Sequence, residues 1–70
     1  MILVYEGDGE KVKVGDVNIS YGKMSRVIGW EAPRGNEKFT IPGAVFTRDE
    51  ESGEINSHFA MNLGMKWKKG

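Results

Sequence analysis

Three groups of residues in this 70-residue chain carry functional chemistry. They are a lone histidine, His58, an acidic cluster (Asp49, Glu50, Glu51 and Glu54), and a basic-aromatic series of Tyr21, Lys23, Arg26, Trp30, Arg34 and Lys38. A single imidazole can act as a general base only with an orienting partner and a nucleophile in reach. Ser57 is adjacent, and neighbouring residues of a strand point to opposite faces, so the two do not form a dyad. His58 therefore reads as a structural or surface residue. A metal site is not expected, because one His and no Cys leave only carboxylates to complete it. Calcium needs six or more oxygens in ordered spacing. Residues 49–54 are too few for that and read as a solvated hairpin turn. Gly7-Asp8-Gly9 is too short for a phosphate loop, and Glu6 and Glu10 on either side would repel phosphate.

The basic-aromatic series is the constellation most suited to binding. Aromatic rings interleaved with Lys and Arg stack bases and track a phosphate backbone. The same mixture suits a protein interface, where Trp, Tyr and Arg form hot spots. A solvated sheet face with one half-buried ring is the third reading of the same residues. Trp30 stays open between the core and an exposed platform. Trp67 lies between Lys66 and Lys68, so alternation puts it on the opposite face from both, in the core or on a closing strand.

Short strands must position these side chains. Residues 2–5 are β-formers, followed by a Gly-rich turn at Glu6-Gly7-Asp8-Gly9. Lys11-Val12-Lys13-Val14 alternates as a half-buried strand. Gly15-Asp16 marks a bulge or bend, and Val17-Asn18-Ile19 resumes the alternation. Tyr21-Gly22-Lys23 reads as a loop tip. Residues 25–31 form the strongest strand. Within it Trp30 alternates with Ile28, and Gly29 is expected to admit a close neighbour, so that a side chain there would clash. Further strands are expected at residues 37–41, 44–47 and 54–59. Ala60-Met61-Asn62-Leu63 is too short for an α-helix and fits one 3-10 turn. Gly64 ends it, and Met65-Lys66-Trp67-Lys68 is a last strand. Five or six strands at this spacing predict an all-β barrel or sandwich, built as a single domain over residues 1–70.

Composition bounds the function. A domain of this length buries only about 60% of its unfolded surface, so the core is thin. Ten glycines suit bent strands and oppose helix. With no cysteine there is no disulfide, which leaves packing or oligomerisation to supply stability. No signal peptide and no run approaching ~20 apolar residues is present, so the chain reads as soluble and cytoplasmic, without membrane contact. Ten bases balance ten acids, which weighs against tight non-specific nucleic-acid binding. The charges are segregated nonetheless: residues 21–48 and the Lys66-Trp67-Lys68-Lys69 tail are basic, and residues 49–54 are acidic.

A Gly-Asp after the first strand, a Gly-Trp in the second and a single turn before the closing strand resemble the SH3-like small β-barrels. Gly15-Asp16-Val17 with Arg26-Val27-Ile28-Gly29-Trp30 is similar to ribosome-associated KOW modules. It is equally similar to plasmid-borne type II dihydrofolate reductases. The first resemblance implies a nucleic-acid-binding module. The second implies a tetrameric enzyme whose shared pore would be lined by Ile55-Asn56-Ser57-His58, with Lys23 near the pore lysine. Of that family's Val-Gln-Ile-Tyr segment, only the apolar first position and the amide second position survive here, so the resemblance supports a fold and not a reaction. The expectation is a non-catalytic binding module, with no cofactor. Its favoured partner is a protein, contacted through Tyr21, Lys23, Arg26, Trp30, Arg34 and Lys38. Nucleic acid is the alternative partner, and a homo-oligomer is left open.

Overall fold

The computed structural model describes residues 1–20, 22–35 and 38–70. The fold is all-β with one 3-10 turn before the last strand. The strands are β1 (Ile2–Tyr5), β2 (Val17–Ser20), β3 (Lys23–Glu31), β4 (Arg34–Gly35), β5 (Thr40–Ile41), β6 (Ala44–Asp49), β7 (Ile55–His58) and β8 (Met65–Lys68). The 3-10 turn is Ala60–Leu63, closed by Gly64 in the left-handed region at φ 69°. This count exceeds the five or six strands expected, and two of the strands, β4 and β5, are only two residues long. The ladders form three antiparallel sheets: β1-β8, β2-β3-β6-β7 and β4-β5. Among the described residues no ladder joins them into a closed barrel. Among the described residues no helix is long and apolar enough to cross a membrane.

The segment at residues 11–14 departs from the expected strand. Residues 10–12 do run beside β1, with Val12 N–H donating to Leu3 O and Tyr5 N–H to Glu10 O. The chain then turns, with Asp16 N–H donating to Lys13 O and Gly15 at φ 97°. That turn ends the alternation after one residue. Val12 is buried, and Val14 is 66% exposed.

The core consists of Leu3, Val12, Val27, Val45, Ala60 and Met65, with Tyr5, Trp30, Leu63 and Trp67 packed against it. Its location follows from register. Leu3 pairs with Trp67 and Tyr5 with Met65, so these four share one face of the β1-β8 sheet. Val27 pairs with Thr47, and Trp30 with Val45, on the inner face of the larger sheet. Trp67, expected in the core or on a closing strand, is half-buried on the last strand and packs against the core.

The register of β3 against β6 slips between Val27 and Gly29. Thr47 and Phe46 are consecutive on β6, but their partners Val27 and Gly29 are two apart on β3. Ile28 is the extra residue of a β-bulge. The bulge breaks the expected alternation of Ile28 with Trp30: Ile28 faces solvent, and Trp30 packs inward. It also corrects the reading of Gly29, since a Cβ built there meets no atom within 4 Å.

The close approach occurs at Gly43 instead. A Cβ at that position would stand 2.6 Å from the Trp67 ring and 2.8 Å from Glu31 O. The ring lies on the bare backbone between β5 and β6 and ties β8 to the larger sheet. Gly43→Val is expected to destabilise the fold by about 1–3 kcal/mol, the usual cost of overpacking. Gly29→Val should leave the melting temperature close to wild type. Equal melting curves for the two variants would contradict this placement.

Candidate functional site

The expected basic-aromatic face divides between surfaces. Tyr21 lies outside the described residues. Lys23 pairs with Ser20 at the start of β3, three residues from Arg26, and so points to the opposite face. Trp30, on the Lys23 side, is half-buried against the core. It lies seven residues along the strand, roughly 23 Å away. Arg34 is exposed on β4, paired with Ile41. Lys38 is exposed between β4 and β5. Of the described members, only Arg26 stands on the outer face of the four-stranded sheet.

That outer face is a different constellation. Register places Val17, Arg26, Arg48 and Ile55 in one row across all four strands. Ile19 and Met24 form the row on one side of it, and Phe46 with Ser57 the row on the other. Ile28 joins them through the bulge. Val17, Ile19, Met24, Ile28 and Ile55 are all exposed, Ile19 at 68% and Ile55 at 63%. The apolar half of the Val17/Ile19 alternation, expected to be partly buried, faces outward. The core lies behind Asn18 and Ser25 on the other side.

Two arginines stand directly opposite one another at the centre of this face, a like-charge pair that costs stability in a sheet. Glu50 relieves it from one side by pairing with Arg26, which also donates from Nη1 to Gly15 O at 3.0 Å. Exposed pairs of this kind add little to stability, but this one fixes the direction of the Arg26 side chain. Arg48 makes no ion pair among the described residues. A cleft of about 630 Å³ opens here, with Val14, Arg26, Ile28, Arg48, Glu50 and Ser52 among its walls.

Both walls of the cleft are tied down by carboxylates. In the acidic turn, Asp49 Oδ1 accepts the N–H groups of Ser52 and Glu51, each at 2.8 Å. These bonds hold its carboxyl below the usual range. The carboxylate is thereby committed to shaping the turn. On the other wall, Asp16 Oδ2 accepts the Tyr5 hydroxyl at 2.6 Å and Lys13 N–H at 2.9 Å. The bond from Tyr5, then that from Lys13, holds the Asp16 carboxyl below its ordinary value. The Tyr5 hydroxyl is pushed up to about 12, first by burial and then by Asp16.

Elsewhere, His58 Nε2 lies 3.0 Å from the hydroxyl of buried Thr47. His58 pairs with Val45 and Ser57 with Phe46, so the two stand on opposite faces. Among the described residues no three or more acidic or His side chains converge to hold a metal. A second concavity of about 360 Å³ is lined by Pro33, Pro42, Phe59, Met61 and Trp67, with Lys66 as its one charged wall. Comparison with protein-family models, curated proteins and solved structures finds no match to this chain.

The Tyr5–Asp16 latch sets a pH window. Folding favours the protonated phenol, so its contribution is full below pH 10 and is lost as pH rises toward 12. The Asp16 contribution is present above about pH 4 and is lost as pH falls through its lowered value. Melting temperature should therefore fall more steeply between pH 10 and 12 in the wild type than in Tyr5→Phe. Parallel alkaline profiles for the two proteins would show that the latch contributes nothing.

Proposed function

We propose that this chain is a small non-catalytic module that binds a protein through the outer face of its four-stranded sheet. The observation that supports the reading most is the grouping of Val17, Ile19, Met24, Ile28 and Ile55, all exposed, around the opposed Arg26 and Arg48. Four strands about 4.8 Å apart, each contributing some four residues, make a face of roughly 20 by 15 Å, or about 300 Å². Apolar side chains border the two arginines over much of this face, and contiguous exposed apolar patches of a few hundred Å² are the ones that mark binding sites on monomeric proteins.

Charge selects the partner. Glu50 answers Arg26, while Arg48 has no carboxylate paired with it among the described residues. A partner with a carboxylate set among apolar side chains would satisfy Arg48 and cover its neighbours together. Arginine at the centre of an apolar patch is a frequent hot spot. Nucleic acid is the less suited partner, because Glu50 and Glu51 share the cleft with the arginines and the net charge is zero. The absence of cysteine agrees with a cytoplasmic role.

Peptides selected from a random display library provide the test, with NMR amide shifts mapping where they bind. Acidic-apolar peptides should be enriched, and their shifts should centre on Val17, Arg26, Ile28, Arg48 and Ile55. Arg48→Glu should weaken them at least tenfold, about 1.4 kcal/mol, without lowering the melting temperature. Shifts confined to the Pro33, Phe59 and Trp67 groove would overturn the assignment. So would preferential binding of single-stranded DNA with a steep salt dependence.

A further inference from the structure

We propose that β7 is a self-pairing edge, through which two copies of this chain join antiparallel about a two-fold axis at Ser57. This inference does not rest on the reading of the outer face as a docking surface. β7 is an outermost strand of the four-stranded sheet. Edge strands are usually protected by charge, proline or a bulge. The run Ile55-Asn56-Ser57-His58-Phe59 has no charged residue and no proline, and its register against β6 is unbroken.

The backbone is arranged for such a pairing. Asp49 N–H donates to Glu54 O at 2.8 Å, in the same register as the β6–β7 pairs. Bonded and non-bonded pairs alternate along an antiparallel ladder. Asn56 and His58 therefore bond to β6, while the N–H and C=O groups of Ile55 and Ser57 point away from the sheet. Phe59 continues the extended path at φ −72°, ψ 142°. Its carbonyl accepts Asn62 N–H at 3.0 Å and keeps a second lone pair.

Side chains select the register. Copies related by a two-fold axis normal to the sheet present the same face on the same side, so an odd-numbered residue must meet an odd-numbered one. Centring on Ser57 sets Ile55 against Phe59 of the second copy, twice over. Both are large, apolar and exposed, at 63% and 55%. On the inner face Asn56 meets His58 of the second copy, polar against polar. A shallow cleft of about 290 Å³ opens at the same edge, lined by Ala44, Ser57, His58, Phe59 and Asn62. It lies where Ile55 of the second copy arrives.

The dimension of the contact sets its strength. Five extended residues span about 17 Å, and a contact of that length only one strand wide falls well short of the ~800 Å² per partner of a stable complex. The dimer is accordingly weak and forms at high micromolar concentration. It makes one eight-stranded sheet and joins two outer faces of about 300 Å² each into a platform of about 600 Å², nearer to the ~800 Å² per partner of a stable complex than either face alone.

Sedimentation equilibrium of the whole chain, from about 5 µM to about 1 mM, tests this. The mass should rise from 7.8 kDa toward twice that value. Ser57→Pro removes only an outward-facing N–H, which an edge strand tolerates, and Ile55→Lys places a charge on the edge. Both should weaken the dimer at least tenfold while keeping wild-type circular dichroism, and Ile19→Lys on the opposite edge should dimerise normally. If Ser57→Pro fails to fold, Ile55→Lys decides alone. A wild-type mass of 7.8 kDa at every concentration would overturn the proposal. Self-association abolished by Ile19→Lys but unchanged in the β7 variants would overturn it equally.

Discussion

Opposite the consecutive residues Phe46 and Thr47, the third strand places three residues, Val27, Ile28 and Gly29. That one extra residue decides what the larger sheet shows to solvent. Side chains alternate with a period of two, so an inserted residue reverses every face assignment beyond it. Before the bulge, Arg26 points out and Val27 in. After it, Trp30 points in to pair with Val45 in the core. Without the bulge, Ile28 and Trp30 would share a face, and either the core would lose its ring or the surface would lose its aliphatic patch.

A core this thin draws on its aromatic side chains. Six buried residues, none larger than Leu or Met, are supplemented by Tyr5, Trp30, Leu63 and Trp67 packed around them. Trp67 lies on Gly43, and Tyr5 reaches Asp16 to latch the turn at residues 13–16. Trp30, the described ring of the expected platform, packs against the core instead. The outer face of the larger sheet is left with exposed aliphatic side chains and Met24 around the opposed Arg26 and Arg48. For a chain with no disulfide, this division of labour places stability in rings at the seams and leaves the sheet face free for contact.

Much of the fold was legible in the sequence. Alternation and turn residues located β1, β3, β6, β7 and β8, and the Ala60–Leu63 turn with its Gly64 stop was found where its length and glycine indicated. The site was legible only in part. Arg26 belongs to it, but Arg48 falls between the strand expected at residues 44–47 and the acidic turn, and Ile28 and Ile55 read as strand residues with no part in a binding face. The reason is local. Alternation names the two faces of a strand but not which one meets the core, and β2 shows its apolar side to water. The bulge carried a signal in Gly29, since glycine inside a strand marks either a bulge or a close approach. Only the register against β6 separates those alternatives, and register is not a local property. The stretch at residues 11–14 failed for a related reason, because the turn closed by Asp16 overrides two residues of good β pattern.

The outer surface assigned to binding exists only if Trp30 and Arg26 stand on opposite faces of β3. Nuclear Overhauser contacts in the free protein measure this directly. The Trp30 ring protons should contact the Val45 methyl groups, and the Ile28 side chain should contact Arg26 and none of the core methyls. Contacts joining the Trp30 ring to the side chains of Ile28 and Arg26 would place all three on one face. That result would remove the bulge, and with it the outer surface assigned to binding.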